Sequence, residues 1–395
     1  MALMSGALSA GDNYHQFLRY GLSVARSLRQ HKACTPPTVV QVEITNLCNL
    51  KCVMCDRWTW VRSPGHAGNL STQKIFSLFS ELARMKVKAI ELTGGEPLLR
   101  NDFRTIIENA SSLGLKGMIF TNGTCMDEQN AETLAKADFT VIFSIDGASA
   151  RTHDLIRGVD GTFDRALRGV RNMLKASRDH GYRNQVRINF TVQKKNLDDM
   201  VALFRLADEL CVGAVHYNIV GGKPECLPGG NSVGSIRRNL QVISKLAASS
   251  RTDVTFARLL RLFIEGKLDT ADVKEGLLAR NFFAKRPVTC LSVYSSALID
   301  AFGDVYPCCY TYFDNHPYES YQKQRKALLL GSINETSFKE IWYGENYETF
   351  RRLVDPVDIG RLGFACGLCE DYFKFRAYGK VLDLFKELGI ISTAN

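Results

Sequence analysis

The chain has 395 residues, 45% of them apolar, with a net charge of +9 and twelve cysteines. That length suits a barrel with one or two appendages. No apolar run reaches the roughly 18 residues a membrane helix needs, and residues 1–13 lack a basic start, so neither a span nor a secretory signal is read and a cytosolic location is expected. The basic residues are dispersed, which favours ordinary solvated faces over nucleic acid, although the charge would suit an anionic substrate.

Between 13 and 30, Phe17, Leu18, Leu22, Val24, Ala25 and Leu28 form a helical stripe, giving an N-terminal extension over 1–37 that packs on the barrel. Residues 38–45 alternate Val40, Val42 and Ile44 with Gln41, Glu43 and Thr45, a strand whose polar side, with Gln41 and Glu43, faces a cavity. Directly after it come Cys48, Cys52 and Cys55, spaced C-x3-C-x2-C. Clustered thiolates without a secretion signal point to metal. Three are one short of a closed iron-sulfur site, and an open position is where a metal does chemistry. A zinc site using Asp56 or His66, or three packed free thiols, are the alternatives from the residues alone.

From Thr72 to Val220 helical and strand periods alternate. Helices are expected over 72–85, 103–112, 127–136, 163–178 and 197–210, and strands over 88–93, 116–121, 139–145, 185–192 and 213–220. With the first strand this is a parallel α/β sheet, open or closed into a partial (β/α)6 TIM-like barrel over 38–222, whose loops at the carboxyl strand ends carry the chemistry. Four polar segments fall at or after those ends: Thr93-Gly94-Gly95-Glu96-Pro97, Thr121-Asn122-Gly123-Thr124, Ser144-Ile145-Asp146-Gly147 and His153-Asp154-Leu155-Ile156-Arg157-Gly158. Paired glycines permit a bend and close ligand approach, and Glu96 offers an acceptor to an ammonium group. Strand parity puts Arg187, Asn189 and Thr191 on one face of the fifth strand, and His216 and Asn218 on one face of the sixth. Residues 223–287 read as a helical insertion and linker, with helical patterns over 236–248 and about 256–283. A second metal domain over 288–395 then carries Cys290, Cys308, Cys366 and Cys369 and ends in a helix near 381–388. Four thiolates in two pairs close either a [4Fe-4S] cluster or a zinc site.

Taken together, the cysteine triplet, the Gly-Gly-Glu-Pro turn and the later loops closely resemble the radical S-adenosylmethionine (radical SAM) superfamily. The arrangement of Cys290, G-x4-C ending at Cys308, Ile341-Trp342 and Cys366-x2-Cys369 resembles its SPASM/twitch auxiliary-cluster group. The resemblance implies that Cys48, Cys52 and Cys55 hold a [4Fe-4S] cluster whose fourth iron chelates S-adenosylmethionine. It also implies that Gly94, Gly95 and Glu96 contact the methionine amino group, Ser144 the ribose and Arg157 the carboxylate, with Asn189 placed among the cofactor-binding residues. One auxiliary [4Fe-4S] cluster is expected on Cys290, Cys308, Cys366 and Cys369, with Cys309 as the competing ligand to Cys308. The implied activity is reductive cleavage to a 5'-deoxyadenosyl radical that abstracts hydrogen from a polar small molecule, of sugar or aminocyclitol type, for oxidation or epimerisation in natural-product biosynthesis. Epimerisation would need a hydrogen donor, for which Cys125 and Cys226 are the candidates. The alternatives are maturation of a ribosomally made peptide, with a separate recognition partner, and a non-catalytic metal-binding module. An external one-electron donor such as flavodoxin or ferredoxin is the implied protein partner.

Overall fold

The computed structural model describes residues 23, 26–27, 30–55, 57–60, 69–182, 185–220, 225–229, 232–257, 260, 292–308 and 328–353. Most of the expected N-terminal helix, Asp56, His66, Cys290, Cys309, Cys366, Cys369, the helical run beyond 260 and the final helix lie outside the described residues.

Strand β1 (Val39–Thr45) starts a parallel series with β2 (Ala89–Gly94), β3 (Lys116–Thr121), β4 (Thr140–Ser144), β5 (Val186–Val192), β6 (Ala214–Ile219) and β7 (Asp253–Phe256), each bonded to the next. Side chains alternate across a strand, so each presents one face to the covering helices and one to the lumen. Val40, Val42 and Ile44, for example, are fully buried, whereas the alternate positions Arg187, Asn189 and Thr191 of β5 are only half-buried.

The covering helices are α1 (Thr72–Arg84), α2 (Phe103–Ser112), α3 (Glu128–Lys136), α4 (Ala150–Arg157), α5 (Thr162–Asp179), α6 (Asp199–Glu209) and α7 (Val233–Ala247). Each buries one stripe, as α1 does with Ile75, Leu78, Phe79 and Leu82 after a Ser71 cap that accepts the Lys74 N–H at 3.2 Å. Among the described residues no helix is long and apolar enough to cross a membrane.

Three features depart from the sequence expectation. Within the stretch read as a helical insertion, α7 is followed by strand β7, whose Asp-Val-Thr-Phe alternation extends the sheet beyond β6. The His153 to Arg157 segment is a helix, α4, capped by Ser149 and ended by Gly158. That glycine is required twice, by its φ of +71° and because a Cβ would stand 2.2 Å from the Lys51 carbonyl oxygen. The sheet also continues past β1 on its other side, through β8 (Ser296–Ile299), parallel to β1, and the antiparallel β9 (Asp304–Tyr306) and β10 (Gly331–Ser332).

Helices α8 (Phe338–Tyr343) and α9 (Glu345–Leu353) close that end. The Glu81 carboxylate of α1 accepts the Phe338 and Lys339 N–H groups at 3.2 and 2.8 Å, and the buried Trp342 indole donates to the Thr35 carbonyl at 2.9 Å. Arg351, fully buried, stacks on Trp342 and Tyr347 at 4.7 and 4.4 Å and donates to the Val293 and Trp342 carbonyls.

Candidate active site

Beyond β1 the chain turns into the loop of Cys48, Cys52 and Cys55, held on two sides by main-chain bonds. On one side Gly95 and Glu96 donate to the Thr45 and Leu47 carbonyls at 2.8 and 2.7 Å; on the other, Lys51 and Val53 donate to the Arg157 and Ile156 carbonyls at 3.1 and 2.9 Å. The glycines are a steric demand of that fit. A Cβ on Gly94 or Gly95 would lie 2.0 Å from the Thr45 oxygen or 1.9 Å from the Leu47 oxygen.

The three cysteines line one cavity of about 190 Å³, together with Gly94, Gly95, Glu96, Ser144 and Arg157. Burial pushes the Cys48 thiol up to about 12, against the Leu50 N–H, and raises Cys52 as well, with Arg157 working the other way. Such thiols are protonated when bare and become good ligands once a metal displaces the proton. Among the described residues no three His, Cys, Asp or Glu side chains gather round a single ion. Thiolates binding separate irons of one cuboidal cluster do not have to.

Arg157 from the last turn of α4 is buried. Its Nη2 pairs with Asp146 at 2.7 Å and its Nη1 lies 3.8 Å from the Cys52 sulfur. Its Nε is buried with no hydrogen-bond partner, so the cavity wall holds a cationic donor that fits an anionic group of a cofactor. Glu96 is fully buried and largely occupied: Oε1 accepts the Thr121 hydroxyl at 2.6 Å and the Leu98 N–H at 3.2 Å, and Oε2 the Asn122 N–H at 2.6 Å. Burial raises its pKa to about 6 although these bonds oppose the shift. Three of about four acceptor positions are thus taken by the chain itself, and the carboxylate locks the β2 and β3 loops together, a task its sequence reading did not include.

Ser144 reaches the cavity from β4, whereas Asn189, its register partner on β5, lies one strand further along the sheet, does not line the cavity and accepts from Asn218 Nδ2 at 3.5 Å. His216 follows Asn189 in register and its Nδ1 lies 2.7 Å from the Thr255 hydroxyl of β7. The two candidate hydrogen-donor thiols lie against the cysteine loop and do not line the cavity. Cys125, half-buried, is 3.7 Å from Asn49 Nδ2, and the buried Cys226 sulfur is 3.9 Å from the Val53 carbonyl oxygen.

Cys308, two residues beyond β9, is the described member of the second cysteine set. A model of the radical SAM superfamily matches residues 42–207, and one of an iron-sulfur cluster-binding domain, SPASM, matches 290–370. The AdoMet-dependent heme synthase of Methanosarcina barkeri is 31% identical over 89% of this chain and 95% of its own length. The chain belongs to the radical SAM superfamily. The mycofactocin maturase MftC of Mycobacterium tuberculosis is 28% identical over 85% of the chain and 76% of its own length. In fold, the chain is similar to Streptococcus suis SuiB bound to S-adenosylmethionine, with a TM-score of 0.61 at 16% identity, covering 88% of this chain and 75% of that one. Its cofactors are accordingly S-adenosylmethionine, the [4Fe-4S] cluster of the radical SAM domain and auxiliary iron-sulfur chemistry in the SPASM domain.

Several pairings that brace this candidate site had no signal in the sequence. Glu43, fully buried on β1, forms a bidentate pair with Arg57 at 3.0 and 2.6 Å, two residues after the last cysteine. Glu43 was expected to face a cavity; its partner had no signal. Arg100 donates to the Ile44 and Leu70 carbonyls at 2.7 and 3.0 Å, tying down the end of β1. Asn196 donates to the Asp146 and Thr191 carbonyls, and Thr191 N–H donates to Asp146 Oδ1 at 2.7 Å, so the partner of Arg157 is itself held from β5. Asn196 looks like any polar residue before a helix.

Proposed function

We propose that Cys48, Cys52 and Cys55 hold the radical SAM cluster, that Gly94, Gly95, Glu96, Ser144 and Arg157 with the neighbouring Asn189 seat S-adenosylmethionine, and that Cys290, Cys308, Cys366 and Cys369 hold one auxiliary cluster. The observation that carries this reading is the convergence of three cysteines, a close-packed Gly-Gly turn, Ser144 and a buried arginine with an unpartnered Nε on a single cavity. When bound, these groups supply a 5'-deoxyadenosyl radical that abstracts hydrogen from an unactivated C–H bond of the substrate. The chain's part is to orient and to shield. Gly94 and Gly95 let backbone approach closely, Arg157 presents charge fixed by Asp146, and the half-buried lumen residues Arg187, Asn189, His216 and Asn218 give the substrate side polar contacts.

Arg187 and that polar lumen favour a polar substrate. Of the substrate classes, a tetrapyrrole precursor stands first, because the relative matched over nearly its whole length is named a heme synthase. Peptide maturation is the second reading, favoured by the mycofactocin maturase and by the fold shared with SuiB, which has been crystallised with its precursor peptide SuiA. The sugar or aminocyclitol expectation finds no support among these relatives. The experiment is anaerobic reconstitution and reduction with S-adenosylmethionine, scoring 5'-deoxyadenosine by mass spectrometry in wild type and Cys55→Ala, followed by deuterated porphyrinogen-type and peptide substrates. Label in deoxyadenosine from one class alone selects it; equal product from Cys55→Ala would sink the cluster assignment.

A further inference from the structure

Helix α5 turns one face to solvent, and that face carries Arg165, Arg168, Arg171, Lys175 and Arg178, all exposed. Steps of three or four residues keep them on one arc, and 13 residues at 1.5 Å each make it about 20 Å long. Its two acids, Asp164 and Asp179, sit at the ends, and among the described residues none of the five cations forms an ion pair. Lined-up like charges repel, and packing does not ask for them, since the helix is held by Phe163, Ala166, Leu167, Val170, Met173 and Leu174 on its other side.

The middle of this helix packs on a turn that touches the cysteine loop. Gly169 lies against the Gly123 carbonyl, where a Cβ would be 2.4 Å from the oxygen, and Asn172 donates to the Met126 carbonyl at 3.0 Å. The 123–126 turn so held carries Thr124, whose hydroxyl accepts from Asn49, the residue next to Cys48, at 2.9 Å. At the start of α5, Asp154 of α4 accepts the Gly161 and Phe163 N–H groups at 2.6 and 2.8 Å; beside it Leu155 is 55% exposed, and exposed Lys51 is bonded to the end of α4. A row of cations without an ion pair among the described residues, an exposed leucine and the segments that hold the cysteine loop therefore adjoin one another.

From this arrangement we infer that the exposed face of α5, with Lys51 and Leu155 at its head, is the docking surface for an acidic one-electron carrier protein of the flavodoxin or ferredoxin type. It rests on the proposed cluster at Cys48, Cys52 and Cys55. One electron leaves the reduced carrier and enters that cluster; no bond or proton moves. A polyanionic nucleic acid would also meet the cations, but only a redox partner gains from their lying beside the cysteine loop, because electron transfer weakens steeply with distance. Opposed charge raises encounter rates and is screened by salt.

The test uses the full reconstituted chain, its Arg168→Glu/Arg171→Glu/Lys175→Glu variant and the milder Arg168→Gln/Arg171→Gln/Lys175→Gln variant, with a purified flavodoxin, a ferredoxin and an RNA duplex as probes. Affinity for oxidised flavodoxin is read by fluorescence anisotropy at low and physiological salt. Reduction of the cluster by each reduced carrier is followed by stopped-flow bleaching, with dithionite as the small reductant. The expected result is salt-sensitive binding by wild type, at least about tenfold weaker binding and slower bleaching by carrier in the Glu variant, a smaller loss in the Gln variant, and unchanged bleaching by dithionite. Unchanged carrier affinity in both variants would overturn the inference, as would RNA binding by a wild type that binds neither carrier. If dithionite cannot bleach wild type, the cluster assignment fails, while the affinity measurement still decides the surface.

Discussion

His153→Asn should remove much of the protein's loss of stability in acid. The His153 ring is 1% exposed, and its Nδ1 accepts the Asp146 N–H at 3.2 Å, which places the ring proton on Nε2, buried without a partner. Burial, helped by the positive charge of Arg157, holds the imidazole pKa at about 3 instead of 6.5. The unfolded ring takes up a proton as pH falls below its ordinary value while the folded ring stays neutral, so stability is intact above about 6.5 and declines below it. At about pH 5 the gap is roughly 1.5 pH units, worth about 2 kcal/mol at 1.36 kcal/mol per unit. Asparagine does not titrate there and its Oδ1 can accept the same N–H. Urea unfolding of the iron-free proteins at about pH 7.5 and 5 gives the change in stability for each. Wild type should lose about 2 kcal/mol more than the variant. Glu96, raised to about 6, takes up its proton earlier in the folded state and so opposes the loss in acid; it is common to both proteins and drops out of the difference. Equal losses in the two proteins would refute the argument that a neutral buried imidazole braces Asp146.

Arg57→Ala strands the Glu43 carboxylate in the interior and should cost about 3–5 kcal/mol by denaturant unfolding, with less lost when Glu43→Gln accompanies it. Gly95→Ala, with its Cβ driven onto the Leu47 carbonyl, should cut iron and sulfide retained after reconstitution to below about half of wild type while secondary structure by circular dichroism persists. Ser144→Ala should weaken S-adenosylmethionine binding by up to about tenfold in equilibrium titration, the worth of one hydrogen bond. Cys125→Ala and Cys226→Ala should each keep deoxyadenosine formation within about twofold of wild type by mass spectrometry, as neither thiol lines the cavity; a collapse in either would restore that cysteine to the chemistry.

The six strands of the barrel were legible to within about a residue at most ends because their apolar residues alternate against helices of 3.6-residue period. The cysteine triplet stood out by its spacing, which suits metal ligation, and the structure brings the three thiols to one cavity. Strand β7 was missed because four residues of alternation, Asp253 to Phe256, are too few to stand out beside long helical patterns. The pairing of β8 with β1 joins residues some 257 apart in the chain, Val39 and Ser296 among them, and no local period reports such a partner. In the site, residue types were readable but their partners were not. Glu96 was recognised as an acceptor, yet that Thr121 and Asn122 would occupy it depends on how two loops meet. Asp146 was seen as part of a turn, while its hold on Arg157 depends on α4 folding back across the cysteine loop.

The bonding of β8 to β1 also ties together two distant cysteine-bearing segments of the chain. The strand entering the cysteine loop is laced through four registered pairs to the strand that begins the hairpin ending at Cys308. Neighbouring strands keep a spacing of about 4.8 Å, so the cysteine loop and Cys308 hang from one hydrogen-bonded ladder, and swinging them apart would mean unzipping it. Two cysteine-bearing segments about 250 residues apart in sequence are thereby joined through backbone hydrogen bonds, which do not depend on side-chain rotamers.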